Sequence, residues 1–177
     1  VWIDDTPIQK FSKLQGSISA DVLVVGGGVT GITTAYLLKK AGSAVALIER
    51  ERVASMDTGH TTAHLTYVTD EQLQKLVRSF GEDHAQAAWD AGAAAIDEIE
   101  RIVGEEGIQC EFGRVPAYLH APVDASSKKE ASNLKKEADL AAKLGFDAAY
   151  LHAAPYFNLP AVRFANQAKF HPRKYLR

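Results

Sequence analysis

The residues whose spacing carries the most chemistry are the glycines of VVGGGVTG, where Gly26, Gly28 and Gly31 stand in G-x-G-x-x-G register. Glycine at the first position permits a tight turn. At the second it lets backbone approach a pyrophosphate, and at the third it lets a helix pack closely on a strand. Amides at the start of a helix near Val29 and Thr30 would face such an anion with the favourable end of the peptide dipoles. Glu49 follows Gly31 by 18 positions, the type and distance of an acid that accepts hydrogen bonds from ribose hydroxyls. Its charge opposes a 2′-phosphate, so NADP is disfavoured, while the motif alone does not separate FAD from NAD. The bland alternative is a glycine turn in some other α/β protein, with Glu49 merely solvated.

The elements that must position these residues are legible on either side. Residues 21–25, DVLVV, form a continuous apolar run ending in glycine, the pattern of a buried parallel strand. Helical spacing follows from Gly31 to Ala41 and stops at Gly42. AVALI, residues 44–48, reads as a second buried strand ending at Glu49. The unit is strand, glycine turn, helix, strand. Residues 1–20 read as an extended lead-in whose Trp2, Ile3, Ile8, Phe11 and Leu14 dock onto a body further along. Residues 50–68 are a loop rich in Thr, Gly and His. Thr69 and Gln72 form a capping-box signature, and Ser127 with Glu130 forms a second, opening a helix to Leu144 that Gly145 closes. Between them, Trp89, Gly92, Ile96, Ile99 and Val103 make one buried stripe on a helix from Asp83 to Val103. A strand pair is expected over 108–121 with Gly113 near its turn, further strands over Ala148–Leu151 and Ala161–Phe164, and a helix opening at His171-Pro172.

Composition narrows the function. The 177 residues are 46% hydrophobic and 24% charged, ordinary for a globular chain able to bury a core. A net charge of −2 supplies no basic excess for phosphate backbones, so nucleic acid is not an expected partner. A single cysteine, Cys110, excludes an internal disulfide framework or a multi-cysteine metal site within this chain. It fits a reducing compartment, and a cytoplasmic location is expected. Cys110 itself reads as an inert, buried thiol. No apolar run reaches the roughly 18 residues of a spanning helix, so no membrane partner is expected. The acidic start VWIDDTPIQK lacks the apolar core of a secretory leader. His60 and His64 are four apart, but no third ligand accompanies them and the Thr-rich context argues against a helix, so no metal site is expected. The charge run from Lys128 to Glu137 reads as the wet face of a helix.

With these residues in view, DVLVVGGGVTGITTAYLLKKAG followed by AVALIER resembles the N-terminus of FAD-dependent oxidoreductases of the D-amino-acid oxidase and glycine/sarcosine oxidase superfamily. The loop SMDTGHTTAHLT resembles the Thr-Gly-His-Thr-Thr-Ala segment of one branch, in some members of which a Rieske domain follows. Trp2-Ile3-Asp4 and QAKFHPRKYL are similar to that branch too. The resemblance implies an α/β fold: a Rossmann-like FAD-binding unit within 1–82, then segments over 83–177 leading into an α+β substrate domain. The C-terminal half of such an oxidase body is expected to lie outside this chain, which would leave the chain inactive alone and prone to self-association.

The resemblance further implies FAD as cofactor and a small amine or amino acid as substrate. The C–H next to nitrogen would give a hydride equivalent to the flavin, leaving an imine that water hydrolyses. Gly26, Gly28, Val29, Thr30 and Gly31 would meet the diphosphate, Glu49 the ribose, and Arg50 would lie beside the adenine end. Thr58, Gly59, His60, Thr61 and Thr62 would run past the pyrophosphate towards the flavin ring. Met56 and Asp57 stand where the family usually has small residues, and an acid there repels a diphosphate unless it points away. No catalytic residue is nominated. The alternatives are a dinucleotide-binding fragment without a complete site and an NAD-dependent dehydrogenase.

Overall fold

A computed structural model describes residues 2–122, 128–155 and 158–177. In chain order its elements are α1 (Trp2–Asp5), β1 (Val22–Val25), α2 (Val29–Lys40), β2 (Val45–Ile48), a 3-10 turn (Asp57–Gly59), β3 (His64–Leu65), α3 (Leu73–Phe80), α4 (Glu82–Glu105), β4 (Gly113–His120), α5 (Lys128–Lys143), β5 (Ala148–Leu151), β6 (Ala161–Lys169) and α6 (Pro172–Tyr175). Two compact units share the chain. The first takes residues up to Ala63, then Glu106–Glu111 and Phe170–Arg177; the second takes His64–Glu105 and Phe112–Lys169. These units are discontinuous in sequence, whereas the cofactor and substrate portions drawn above are divided once, after residue 82.

The first unit is built on β1 and β2, parallel and paired from Val22 with Val45 to Val25 with Ile48. Gly26 extends the ladder by donating its N–H to Ile48 O at 2.8 Å. α2 crosses between the strands and ends at Gly42, whose φ of +94° a side chain would strain. The expectation that both strands are buried is corrected. No residue of β1, α2 or β2 is buried, and Leu23 and Val25 are 57% and 75% exposed. Among the described residues the β1–β2 sheet has two strands, so the apolar run lacks the cover that such a run is written for.

The lead-in is not wholly extended, because Trp2–Asp5 forms a short helix. Its Trp2 indole donates to Thr61 O at 2.7 Å and lies edge-on to His171, with ring centroids 4.7 Å apart. His171 caps α6, accepting Lys174 N–H on Nδ1 at 3.3 Å. That leaves its Nε2–H to donate to Thr6 Oγ1 at 3.2 Å. The strand expected over 108–112 is absent. Glu111 sits at φ +57°, and Cys110 O instead accepts His171 N–H at 2.6 Å. Cys110 is fully buried.

The second unit is an antiparallel sheet with β6 at its centre. β4 runs along one side of β6, and β3 and β5 pair with opposite ends of the other. Trp89 of α4 and Phe164 of β6 are both fully buried in the core, 5.6 Å apart and nearly perpendicular, with Tyr67 and Phe146 against the indole. Gly92 lies where Tyr67 passes: a Cβ there would stand 2.9 Å from Tyr67 Cβ. The first capping box does not form. α3 opens without a local side-chain cap; the carboxylate of Glu137 on α5, itself 1% exposed, accepts Leu73 N–H at 2.5 Å and Gln74 N–H at 3.2 Å. Thr69 instead donates to Glu71 O and accepts the Trp89 indole N–H. Ser127 of the second box lies outside the described residues.

Candidate cofactor site

The glycine turn is dictated by three different constraints. Gly26 adopts φ +111°, a conformation that L side chains rarely take. Gly31 admits no side chain at all: its Cβ would fall 1.9 Å from Gly26 O, because the first turn of α2 sits directly on the glycine turn. At Gly28, the N-cap of α2, a Cβ would be 3.2 Å from Thr58 Oγ1. That hydroxyl accepts Val29 N–H at 3.1 Å, so Thr58 satisfies the first amide of the helix. The amides of Thr30 and Gly31, next along, lie in the first turn, where a helix offers no internal acceptor.

Glu49 is clamped by backbone. One carboxylate oxygen accepts Gly27 N–H at 2.7 Å and the other accepts Glu51 N–H at 2.8 Å. These bonds, from Glu51 first and Gly27 next, hold the Glu49 carboxyl below its usual value of 4.5 against a smaller opposing effect of burial. The group is therefore ionised at neutral pH. Each oxygen carries two lone pairs, so both keep acceptor capacity for hydroxyls. Gly27 is a site residue that the spacing argument passed over. A Cβ there would stand 3.1 Å from both Glu49 Cβ and Val53 Cγ2, and Gly27 O accepts Ala54 N–H at 2.9 Å. The middle glycine of an unbroken run of three was the available signal.

The rest of the Thr-Gly-His-Thr-Thr loop divides. Thr58 reaches the cradle as described. Gly59 is buried, and a Cβ there would meet Ala54 O at 2.9 Å and Ile3 at 3.2 Å, so its smallness serves packing of the turn on the N-terminal arm. Thr61 gives its carbonyl to Trp2 and its hydroxyl oxygen to Ala63 N–H. His60 is exposed, with Nδ1 3.0 Å from Met56 O, and Thr62 is exposed too. Arg50 is 85% exposed and lies 3.6 Å from Glu51. Asp57 is exposed. Among the described residues, no group of three or more His, Cys, Asp or Glu is placed to hold a metal ion, and no helix is long and apolar enough to cross a membrane.

The arrangement fits a dinucleotide: a strand-to-helix glycine turn that a Cβ would fill, free-facing amides beyond it and a fixed carboxylate at the end of the second strand. A family model described as FAD dependent oxidoreductase (DAO) matches residues 21–177. A Bacillus subtilis (strain 168) protein named for a Rieske 2Fe-2S iron-sulfur centre is 37% identical over 99% of this chain, which covers 34% of that protein. Gamma-glutamylputrescine oxidoreductase of Escherichia coli (strain K12) is 34% identical over 58% of the chain and 24% of its own length. Among solved structures, glycine oxidase from Bacillus cereus ATCC 14579 matches with a TM-score of 0.58 at 20% identity, over 89% of this chain and 42% of that one. L-amino acid deaminase from Proteus vulgaris matches with a TM-score of 0.65 at 16% identity, over 94% and 39%. The chain thus spans between about a quarter and two fifths of the length of these proteins.

Proposed function

This chain belongs to the DAO family of FAD-dependent oxidoreductases, and on that premise we propose that it carries the FAD-binding portion of an enzyme oxidising an amine or amino acid. The observation that supports the reading most is the pairing of a side-chain-intolerant Gly31 with a Glu49 carboxylate held by two backbone amides. Gly28, Thr30 and Gly31 would present backbone to the diphosphate, Glu49 would accept the ribose hydroxyls, and Thr58 keeps the helix start in place. The bound flavin would supply the acceptor for a hydride equivalent from the carbon next to nitrogen. The protein's share is to hold the cofactor and orient the amine. The names of three similar proteins, an oxidoreductase of an acylated diamine, a glycine oxidase and an amino acid deaminase, all concern C–N substrates.

The test is optical. The whole polypeptide containing residues 1–177 should purify with a flavin absorbance band that survives gel filtration. A panel of primary and N-substituted amines and amino acids, added without oxygen, should bleach it. A colourless protein that oxidises substrate only with added NAD would overturn the reading. So would one that keeps its flavin but is bleached by none of the C–N compounds and by another class instead.

A further inference from the structure

The second unit holds a cleft of about 340 Å³, at the lower end of the volumes that small-molecule sites take. Tyr67, Phe146 and Ala93 of α4 give it an apolar wall. The two rings have centroids 5.3 Å apart and both pack against Trp89 in the core, which fixes the wall. Asp97, Arg114, Asp147 and Asn166 supply the polar side. Asn166 is set there by a bulge: it and Ala165 on β6 stand against Pro116 alone on β4, and its φ is +60°.

The charges of the cleft do not balance. Arg114 is spent within the protein, donating to Asp97 at 2.5 Å, to Glu100 at 2.6 Å and to Asn166 O at 2.9 Å. Asp147 is not spent. Among the described residues no hydrogen bond reaches its carboxylate, and Arg163 stands 3.8 Å off, beyond hydrogen-bond reach. The side-chain amide of Asn166 likewise takes no partner among the described residues. Three carboxylates, those of Asp97, Glu100 and Asp147, thus face two guanidiniums, and one negative charge is in excess. It is felt on the apolar wall: burial first, and the Asp147 charge with it, push the Tyr67 phenol above its usual 10.0 against a hydrogen bond from Gln167.

Excess negative charge beside aromatic rings selects a cation. A metal ion demands several convergent ligands, and among the described residues no three acids, histidines or cysteines are placed to hold one. An organic ammonium asks for less: one carboxylate, a second acceptor, and an apolar wall for its carbons. We propose that this cleft binds a primary ammonium carried on a compact apolar body. The N–H groups donate to the Asp147 carboxylate and the Asn166 side-chain oxygen, and the carbons lie on Tyr67 and Phe146. The site belongs wholly to the second unit and does not rest on the glycine turn being a cofactor site.

The experiment is a calorimetric titration of the whole polypeptide with 1-adamantylamine, 1-adamantanol and 1-adamantanecarboxylate, which share one body and differ in the head. The carbon bearing the amine nitrogen has no hydrogen, so this probe is not oxidised there. The amine should bind more tightly than the alcohol, and the carboxylate least. Asp147→Asn should weaken the amine about three- to fivefold, as for a partly exposed ion pair, and leave the alcohol unchanged. Ala93→Leu, which fills the cleft, should weaken amine and alcohol alike. Added salt should narrow the gap between amine and alcohol in the parent. An amine that binds no better than the alcohol overturns the proposal, as does a parental amine constant in Asp147→Asn or in Ala93→Leu. If one variant fails to fold by circular dichroism, the other decides together with the salt dependence of the parent.

Discussion

Replacing Gly31 with alanine exchanges one hydrogen for a methyl group, and the geometry makes that a severe change. The new Cβ would lie 1.9 Å from Gly26 O and 3.0 Å from Gly26 C. An ordinary C···O approach is about 3.3 Å, so the two must part by about 1.4 Å. Gly26 is held by its N–H to Ile48 O at 2.8 Å and by its place at the end of β1, so α2 is the element that moves. Overpacking of this kind costs about 1–3 kcal/mol. Losing the Val29 bond to Thr58 adds about 1 kcal/mol. A chain of this length then melts roughly 5–12 °C lower. The displaced amides also leave the diphosphate, and one charge-assisted bond lost weakens FAD at least about tenfold. Gly28→Ala is the internal control. Its Cβ stands 3.2 Å from the rotatable Thr58 hydroxyl, so a few tenths of an ångström of give suffices and the melting temperature falls much less. Calorimetric melting together with flavin titration measures both quantities. A Gly31→Ala protein that melts with the parent and binds FAD equally, or a Gly28→Ala protein that melts lower than Gly31→Ala, refutes the reasoning.

Glu49→Gln should weaken FAD binding, because it removes the charge from the ribose acceptor and breaks the clamp from Gly27 and Glu51. Since the folded Glu49 carboxyl is depressed below 4.5, its contribution to stability is fully present above that value and is lost as pH falls through the lower folded value. The melting difference between parent and Glu49→Gln should therefore be flat from neutral pH to the usual carboxylate value and shrink below it. Glu137→Ala strands the buried amide of Leu73 and the half-buried amide of Gln74 at the start of α3, and urea unfolding should show a loss of about 3 kcal/mol. The 177-residue chain alone should self-associate through its exposed β1–β2 face, and Leu23→Lys should lower its light scattering without changing helix content by circular dichroism.

What the sequence made legible was whatever is enforced locally. The glycine turn could be read because φ +111° at Gly26 and the missing space at Gly31 each forbid a side chain within a few residues of the motif. Gly42 and Gly145, both at positive φ, end their helices as read, and His171-Pro172 opens one. The failures come from partners far away in the chain. Thr69 and Gln72 have the right spacing for a cap, but a carboxylate 64 residues later takes the α3 amides instead. Residues 108–112 have strand-like composition, yet Cys110 O is claimed by His171, which no window around Cys110 contains. The apolar runs of β1 and β2 were read as buried because their pattern asks for cover on both faces, and the described residues supply a helix on one.

The first unit gathers residues 170–177 to its N-terminal part, and this sets a timetable for their meeting. Its glycine turn, α2 and β2 precede residue 50, but α6 and the His171 that reaches back to Thr6 lie 165 residues beyond that partner. At about 5–20 residues per second of synthesis, the support for the Thr58 turn emerges several seconds after the turn itself. Closing the loop from Thr6 to His171 also costs about 0.9 kcal/mol more in chain entropy than closing the 59-residue span from Trp2 to Thr61. Because β6 ends one residue before Phe170, the strand that completes the second unit's sheet also delivers the tail to the first. β6 is thus synthesised before the segment that returns to Thr6 and to the Thr58 turn.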